Sequence, residues 1–223
     1  MLKVGLTGGI ASGKSVVGEM LVSLGAHLVQ ADRIAHSLMQ PGEAVYNEVV
    51  RHFGREILNS DGSVNRAKLA EAAFGPADGG QRNSRIDELN RIVHPTVIRS
   101  QDEWMHAVSL HDPAGVAIVE AALILEARVA DRFDRLIVVT CAAEQRAVRF
   151  AARQKIDLEA ARKEVTRRMA AQLPDEEKVK AADFVIDNSS SLQNTREQVN
   201  RVWEQLTAEA KAGESVSSSP DRA

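Results

Sequence analysis

The chain has 223 residues and a mass of 24.2 kDa, with 28 basic and 31 acidic side chains and a formal charge of −3. That length suits one domain of ordinary size with room for an insertion, and its 44% hydrophobic content lies well above a disordered composition. The near-neutral balance argues against a dedicated nucleic-acid binder. No apolar run approaches the roughly 18 residues of a membrane span, and the single Cys141 excludes an intramolecular disulfide framework or a cysteine-based metal cluster.

Residues 2–7 alternate apolar with polar or small side chains and run into Gly8-Gly9, which reads as a strand ending in a sharp turn. A strand that early leaves no room for a signal peptide, so the chain is expected to be soluble and cytoplasmic, with no membrane partner. Residues 14–24 carry Val17, Met20, Leu21 and Leu24 at helical spacing, with Gly25 as the stop. Residues 27–30 fit a second strand, ending two positions before Asp32. The next eighty residues read mainly as helices: a short one closed by Pro41-Gly42, one from 43 to Gly54, one over 66–74, a loop over 75–80, and one over 83–92. His94-Pro95 is expected to break the pattern, because the residue before proline is pushed out of the α region. A longer helix then runs to 111.

Asp112-Pro113-Ala114-Gly115 is a turn into a buried strand over 116–121, and 136–140 is another. Cys141, at its end, reads as a small buried hydrophobe. Residues 144–180 are helical and hold ten Lys/Arg against seven Asp/Glu, locally +3. A last short strand covers 184–186, an amphipathic helix 192–210, and a tail assigned from 208 onward, poor in apolar residues, is expected to be disordered. Short apolar strands alternating with helices indicate an α/β fold, a parallel sheet with helices on both faces. The stretch between the second and third strands is too long for a crossover and reads as an inserted helical subdomain.

Gly8-Gly9-Ile10-Ala11-Ser12-Gly13-Lys14-Ser15 matches G-x-x-x-x-G-K-[ST]. Four constrained positions recur by chance in roughly one chain in a hundred of this length, and here the motif follows a strand and precedes a helix, as its mechanism requires. Glycines let the backbone N–H groups of Gly9, Ile10, Ala11, Ser12, Gly13, Lys14, Ser15 and Val16 curl toward a phosphate, with the positive end of a helix behind them. Lys14 reaches the β- and γ-phosphates, and the Ser15 hydroxyl is a hard ligand suited to Mg²⁺. Asp32, past the second strand, reads equally as a carboxylate for a substrate hydroxyl or as an N-cap for the following helix. Arg146, Arg149, Arg153, Arg162, Arg167 and Arg168 could supply a basic lid, although most such arginines are expected on a solvated face laced with Glu. Glu120 and Glu126 bracket the end of the third strand; one faces the site, or both are surface charges. The six histidines lack H-E-x-x-H spacing, so no zinc site is expected.

These residues resemble the dephospho-CoA kinase family over nearly the whole chain to about residue 206. The similarity rests on ordered motifs: Leu6-Thr7 and the phosphate loop, Ala31-Asp32-Arg33-Ile34-Ala35-His36, Gln40-Pro41-Gly42, Val93-His94-Pro95, Leu123-Ile124-Leu125-Glu126, and Ala182-Asp183-Phe184-Val185-Ile186-Asp187-Asn188. The resemblance implies a single P-loop kinase domain over 1–207. Its core comprises 1–32, 112–142 and 181–207, with a helical substrate subdomain over 33–111 and a helical lid over 143–180. It implies transfer of the ATP γ-phosphoryl group to the ribose 3′-hydroxyl of dephospho-CoA with Mg²⁺. Asp32, Lys14 and Arg149 become catalytic groups, Asn188 lies near the adenine, and Thr7, Asp32 and His94 lie on the acceptor side. Four departures stand out. Ala11 replaces a glycine, tolerable on a negative φ. Gln30 stands where the family often has Asp, leaving one carboxylate rather than two. His36 stands where Arg is common, and Ala122 where the family has Pro. Another small-molecule P-loop kinase, or a nucleotide-binding module without transfer activity, are the competing classes.

Overall fold

A computed structural model describes residues 1–74 and 85–217. Five strands form one sheet in the order β2-β3-β1-β4-β5: β1 (Leu2–Gly8), β2 (His27–Gln30), β3 (Val116–Glu120), β4 (Arg135–Thr140) and β5 (Phe184–Asp187), with every pair parallel. The α/β reading is therefore correct. All five carboxyl ends share one edge, and the sequence order reverses there around β1, where α/β sheets bind ligands.

The alternation along β4 divides the core. Ile137 and Val139 join Val4, Leu6 and Ile118 on one face under α1 (Lys14–Ser23) and α9 (Leu192–Ser217), whereas Leu136 and Val138 turn to the other face with Ile124 and Phe133. The closing helix, expected over 192–210 with a disordered tail assigned from 208, runs on as far as Ser217. Val199, Val202, Leu206 and Ala210 recur at helical spacing and are all buried in the first cluster, and Arg135 pairs with Glu209 at 2.9 Å. These positions fall within the helix expected over 192–210, whose stability comes from the sheet it packs on. Residues 218–223 lie outside the described residues, as do the loop expected over 75–80 and the start of the helix expected at 83.

The chain divides into two compact units, Met1–Gln30 with Met105–Ala223, and Ala31–Trp104. The second is helical: α2 (Ala31–Leu38), α3 (Ala44–Phe53), α4 (Arg66–Phe74) and the first part of α5 (Arg85–His111). Its own core is Val45, Val49 and Phe53 at i, i+4 and i+8 on α3, with Ile57, Leu69, Ala73, Val93 and Val97. The break expected at His94-Pro95 does not occur, because α5 continues through Pro95. A proline inside a helix costs about 3 kcal/mol. Val93 and Val97, buried on either side of it, offset that cost, and Pro95 itself is exposed.

Between β4 and β5 the basic stretch forms three helices, α6 (Ala143–Gln154), α7 (Leu158–Ala170) and α8 (Asp175–Lys180). Asp157 caps α7 by accepting from the Ala160 N–H at 2.9 Å.

A chain ending at 207 loses the buried Ala210 and the Glu209 ion pair. It is expected to be about 1–2 kcal/mol less stable by urea unfolding, whereas removing a disordered tail would leave the midpoint unchanged.

Candidate active site

The phosphate loop is braced from behind. Gly13 sits at φ 93° and precedes the first residue of α1, so the loop enters the helix through a conformation that favours glycine. A Cβ there would also lie 2.0 Å from Asn188 Nδ2. The Asn188 amide donates to the Ser12 carbonyl at 2.9 Å and accepts from Thr195 Oγ1 at 2.9 Å, and all three side chains are essentially buried. Arg149 on α6 adds Nη1 to the same Ser12 carbonyl at 3.3 Å and Nη2 to the Asn188 carbonyl at 2.9 Å. At the front, Lys14 Nζ donates to the Gly8 and Gly9 carbonyls at 2.8 and 3.1 Å, drawing the ammonium across the loop mouth.

Ala11 has φ +53°, not the negative value on which tolerance of the glycine replacement was expected to rest. The left-handed region costs an alanine about 1–2 kcal/mol. Ala11 and Ile10 pack against Phe150, Ala161 and Val165 of α6 and α7, an apolar contact that offsets this strain and ties the two helices to the loop.

Glu120, at the end of β3, faces the loop and is 8% exposed. Its Oε1 accepts from Ser15 Oγ at 2.8 Å and its Oε2 from Gln30 Nε2 at 2.8 Å. The replacement at position 30 therefore does not leave the loop without a neighbouring carboxylate: β3 supplies one. A serine hydroxyl beside a carboxylate is a hard oxygen donor set, which suits Mg²⁺.

Arg146, one of the six candidate lid arginines, is fully buried. Its Nε donates to the Cys141 carbonyl at 2.7 Å, Nη2 pairs with Asp175 on α8, and Nη1 lies so close to Gly9 that a Cβ there would be 2.1 Å from it. Nη1 is buried with no hydrogen-bond partner. A guanidinium thus stands beside the phosphate loop, held by α8. The same helix carries the buried Lys178, whose Nζ is 2.9 Å from Glu126 Oε1. Glu126 also accepts from the Leu173 N–H at 3.1 Å, so it anchors α8 and is not a surface charge. The sequence signal for Arg146 was its place in the arginine-rich helical stretch; its burial depends on the approach of α8.

The remaining arginines are exposed, with Arg153 and Arg168 placed 5.6 and 5.4 Å from the centre of the Phe150 ring. Arg162 pairs with Glu144, and Arg167 and Arg168 share Glu164, whose carboxyl their hydrogen bonds hold down at about 2. Cys141 is buried, and that burial pushes its thiol above the ordinary value.

Thr7 is buried and donates to the Ala122 carbonyl at 3.3 Å. Val16 is on the exposed side of α1. Asp32 is exposed in the first turn of α2, two residues beyond β2. Because α2 begins at Ala31, Asp32 lies inside the helix, and the N-cap reading is withdrawn; a carboxylate in a first turn is favoured by the helix dipole. His94 is half-buried on α5, and burial lowers its pKa.

A family model described as dephospho-CoA kinase matches residues 2–194. The chain is 39% identical to a dephospho-CoA kinase of Carboxydothermus hydrogenoformans over 198 residues, covering 88% of this chain and 90% of that protein. It is 40% identical to one of Syntrophotalea carbinolica over 199 residues, covering 89% of each. Among solved structures it is similar to TT1252 of Thermus thermophilus (TM-score 0.74, 30% identity, 93% of this chain and 97% of that one). It is also similar to the dephospho-CoA kinase of Campylobacter jejuni (TM-score 0.63, 25% identity, 93% and 98%).

Removing one member of a buried ion pair costs about 3–5 kcal/mol. Asp175 is about a third exposed, so Asp175→Ala is expected to cost about 2 kcal/mol in urea unfolding, with a parallel loss of ATP affinity as Arg146 leaves Gly9. For His94, the unfolded chain binds a proton more readily than the native one. Stability from this group is present above the ordinary pKa near 6.5 and is lost as pH falls below it. His94→Gln is expected to flatten the fall in melting temperature below pH 6.5.

Proposed function

The chain belongs to the dephospho-CoA kinase family, and from that premise we propose that it transfers the γ-phosphoryl group of ATP to the ribose 3′-hydroxyl of dephospho-CoA, giving CoA and ADP. The observation that carries the reading is the braced loop. Its N–H groups open into the N-terminus of α1 with Lys14 across the mouth, and Asn188 and Arg149 hold its back. This arrangement suits a triphosphate better than a substrate of low charge. No helix among the described residues is long and apolar enough to cross a membrane.

Each side chain then has a task. The loop binds the β- and γ-phosphates, and Lys14, released from the Gly8 and Gly9 carbonyls, follows the charge that moves onto the bridging oxygen. Arg149 holds Ser12 against the β5 end of the site and adds positive potential on the nucleotide side. Arg146 does the same at Gly9. Mg²⁺, held by Ser15 with Glu120 behind it, would neutralise phosphate charge when bound. Asp32 accepts a hydrogen bond from the acceptor hydroxyl and aligns it for in-line attack. Because the transition state is loose, alignment matters more than early deprotonation. Thr7 and His94 serve the acceptor side; a neutral His94 can offer a hydrogen bond without adding charge. Asn188, whose amide is spent on Ser12 and Thr195, acts near the adenine by shaping the loop.

The test is ADP release with Mg–ATP and dephospho-CoA, beside nucleosides and nucleotides as alternative acceptors, with the product checked by mass for one added phosphoryl group. Turnover with dephospho-CoA alone is the expected result. Turnover only with another acceptor would keep the phosphate chemistry and discard the acceptor, and tight ATP binding without transfer would mark a binding module. Lys14→Ala and Asp32→Asn are each expected to lower kcat by about 10²-fold or more with unchanged melting temperature. Near-normal kcat in Asp32→Asn would remove it from the chemistry.

A further inference from the structure

Gln30 and Glu120 are register partners on β2 and β3, at the carboxyl edge of the sheet. Each oxygen of the Glu120 carboxylate has one donor: Gln30 Nε2 at 2.8 Å on Oε2 and Ser15 Oγ at 2.8 Å on Oε1. Glu120 is only 8% exposed, so water cannot readily replace either donor. Position 30 carries an amide rather than a carboxylate. An ionised aspartate is an acceptor only, and it would set a second negative charge against Glu120. The Gln30 NH₂ group supplies the donor that a nearly buried carboxylate needs.

The consequence falls on Ser15. A hydroxyl has one proton and two lone pairs. With its proton directed to Glu120 Oε1, its lone pairs point away from the carboxylate, which is the presentation a hard cation requires. A carboxylate free to rotate about its last bonds would not hold that rotor in place. We propose that Gln30 is a positioning residue for the divalent cation: by clamping Oε2 it fixes Glu120, and through Glu120 it fixes the Ser15 hydroxyl with its lone pairs presented to the metal. This rests on the reading of the loop as a Mg–ATP site. The four-residue β2 already pairs with β3 through its backbone, so the Gln30 side chain is not needed to keep the strand in the sheet.

The experiment is ATP binding by calorimetry against Mg²⁺ concentration, with no acceptor present, for the full chain and for Gln30→Met and Gln30→Asn. Methionine keeps the length and removes the donor. Asparagine keeps the donor but is one methylene short of Oε2, and its polarity keeps the test available if the methionine variant folds poorly. Both are expected to raise the Mg²⁺ half-saturation about fivefold or more, with ATP affinity in EDTA within about twofold of the unsubstituted chain. A half-saturation within twofold in both variants overturns the proposal. So does an equal loss of affinity in EDTA, which would mean that the loop itself had been disturbed. An unsubstituted chain that binds Mg–ATP but phosphorylates no acceptor counts against the proposed reaction and leaves the Gln30 comparison intact. An absence of ATP binding overturns both.

Discussion

The Ser12 carbonyl accepts hydrogen bonds from Asn188 and Arg149 at once, and the phosphate loop takes its shape from that double contact. A loop of this kind must keep several N–H dipoles pointing inward, an arrangement that repels itself until an anion arrives. Donors on the outer carbonyls hold the peptide planes in place beforehand. The brace draws on three separated parts of the chain. Asn188 directly follows β5, Thr195 fixes its amide from α9, and Arg149 reaches in from α6. The sheet has to be assembled before the loop can be rigid.

The same economy appears around the loop's rim. Gly9 lies against Arg146, Gly13 against Asn188, and Ala11 under Phe150 and Val165. Gly9 and Gly13 both need glycine for space, and Gly13 needs it for conformation as well. The third carries a methyl in a left-handed conformation and recovers the cost by burial. Helices α6, α7 and α8 are thus bound to the loop by an apolar contact on one side and by a buried charge pair on the other.

Charge placement follows burial. Arg162, Arg167 and Arg168 stay in water beside glutamates, where their pairs add little to stability. Arg146 and Lys178 are carried fully inside, each with a carboxylate partner within reach. Burying these two cations is costly, and a plain structural helix would do as well with apolar residues. Arg146 stands beside the phosphate loop and sets positive potential at Gly9, whereas Lys178 ties α8 to Glu126.

Local spacing by itself determined the strands, the G-x-x-x-x-G-K-S loop and the helix that follows it, because each is set by contacts within about ten residues. It also placed Asp32 after β2 and Arg149 on a helix face. It overstated the effect of Pro95, because that depends on what the helix packs against, Val93 and Val97 buried on either side of it, and it ended the C-terminal helix at 210, seven residues short of Ser217. Only the tertiary structure decided that Glu120 meets Ser15 and Gln30, and that Arg146 rather than a solvated neighbour stands beside Gly9. Those partners are 90, 105 and 137 positions apart or lie on different helices. Parallel pairing of β2 with β3, and the return of α8 to α6, are what bring them together; no periodicity in one segment encodes a contact that a second segment must complete.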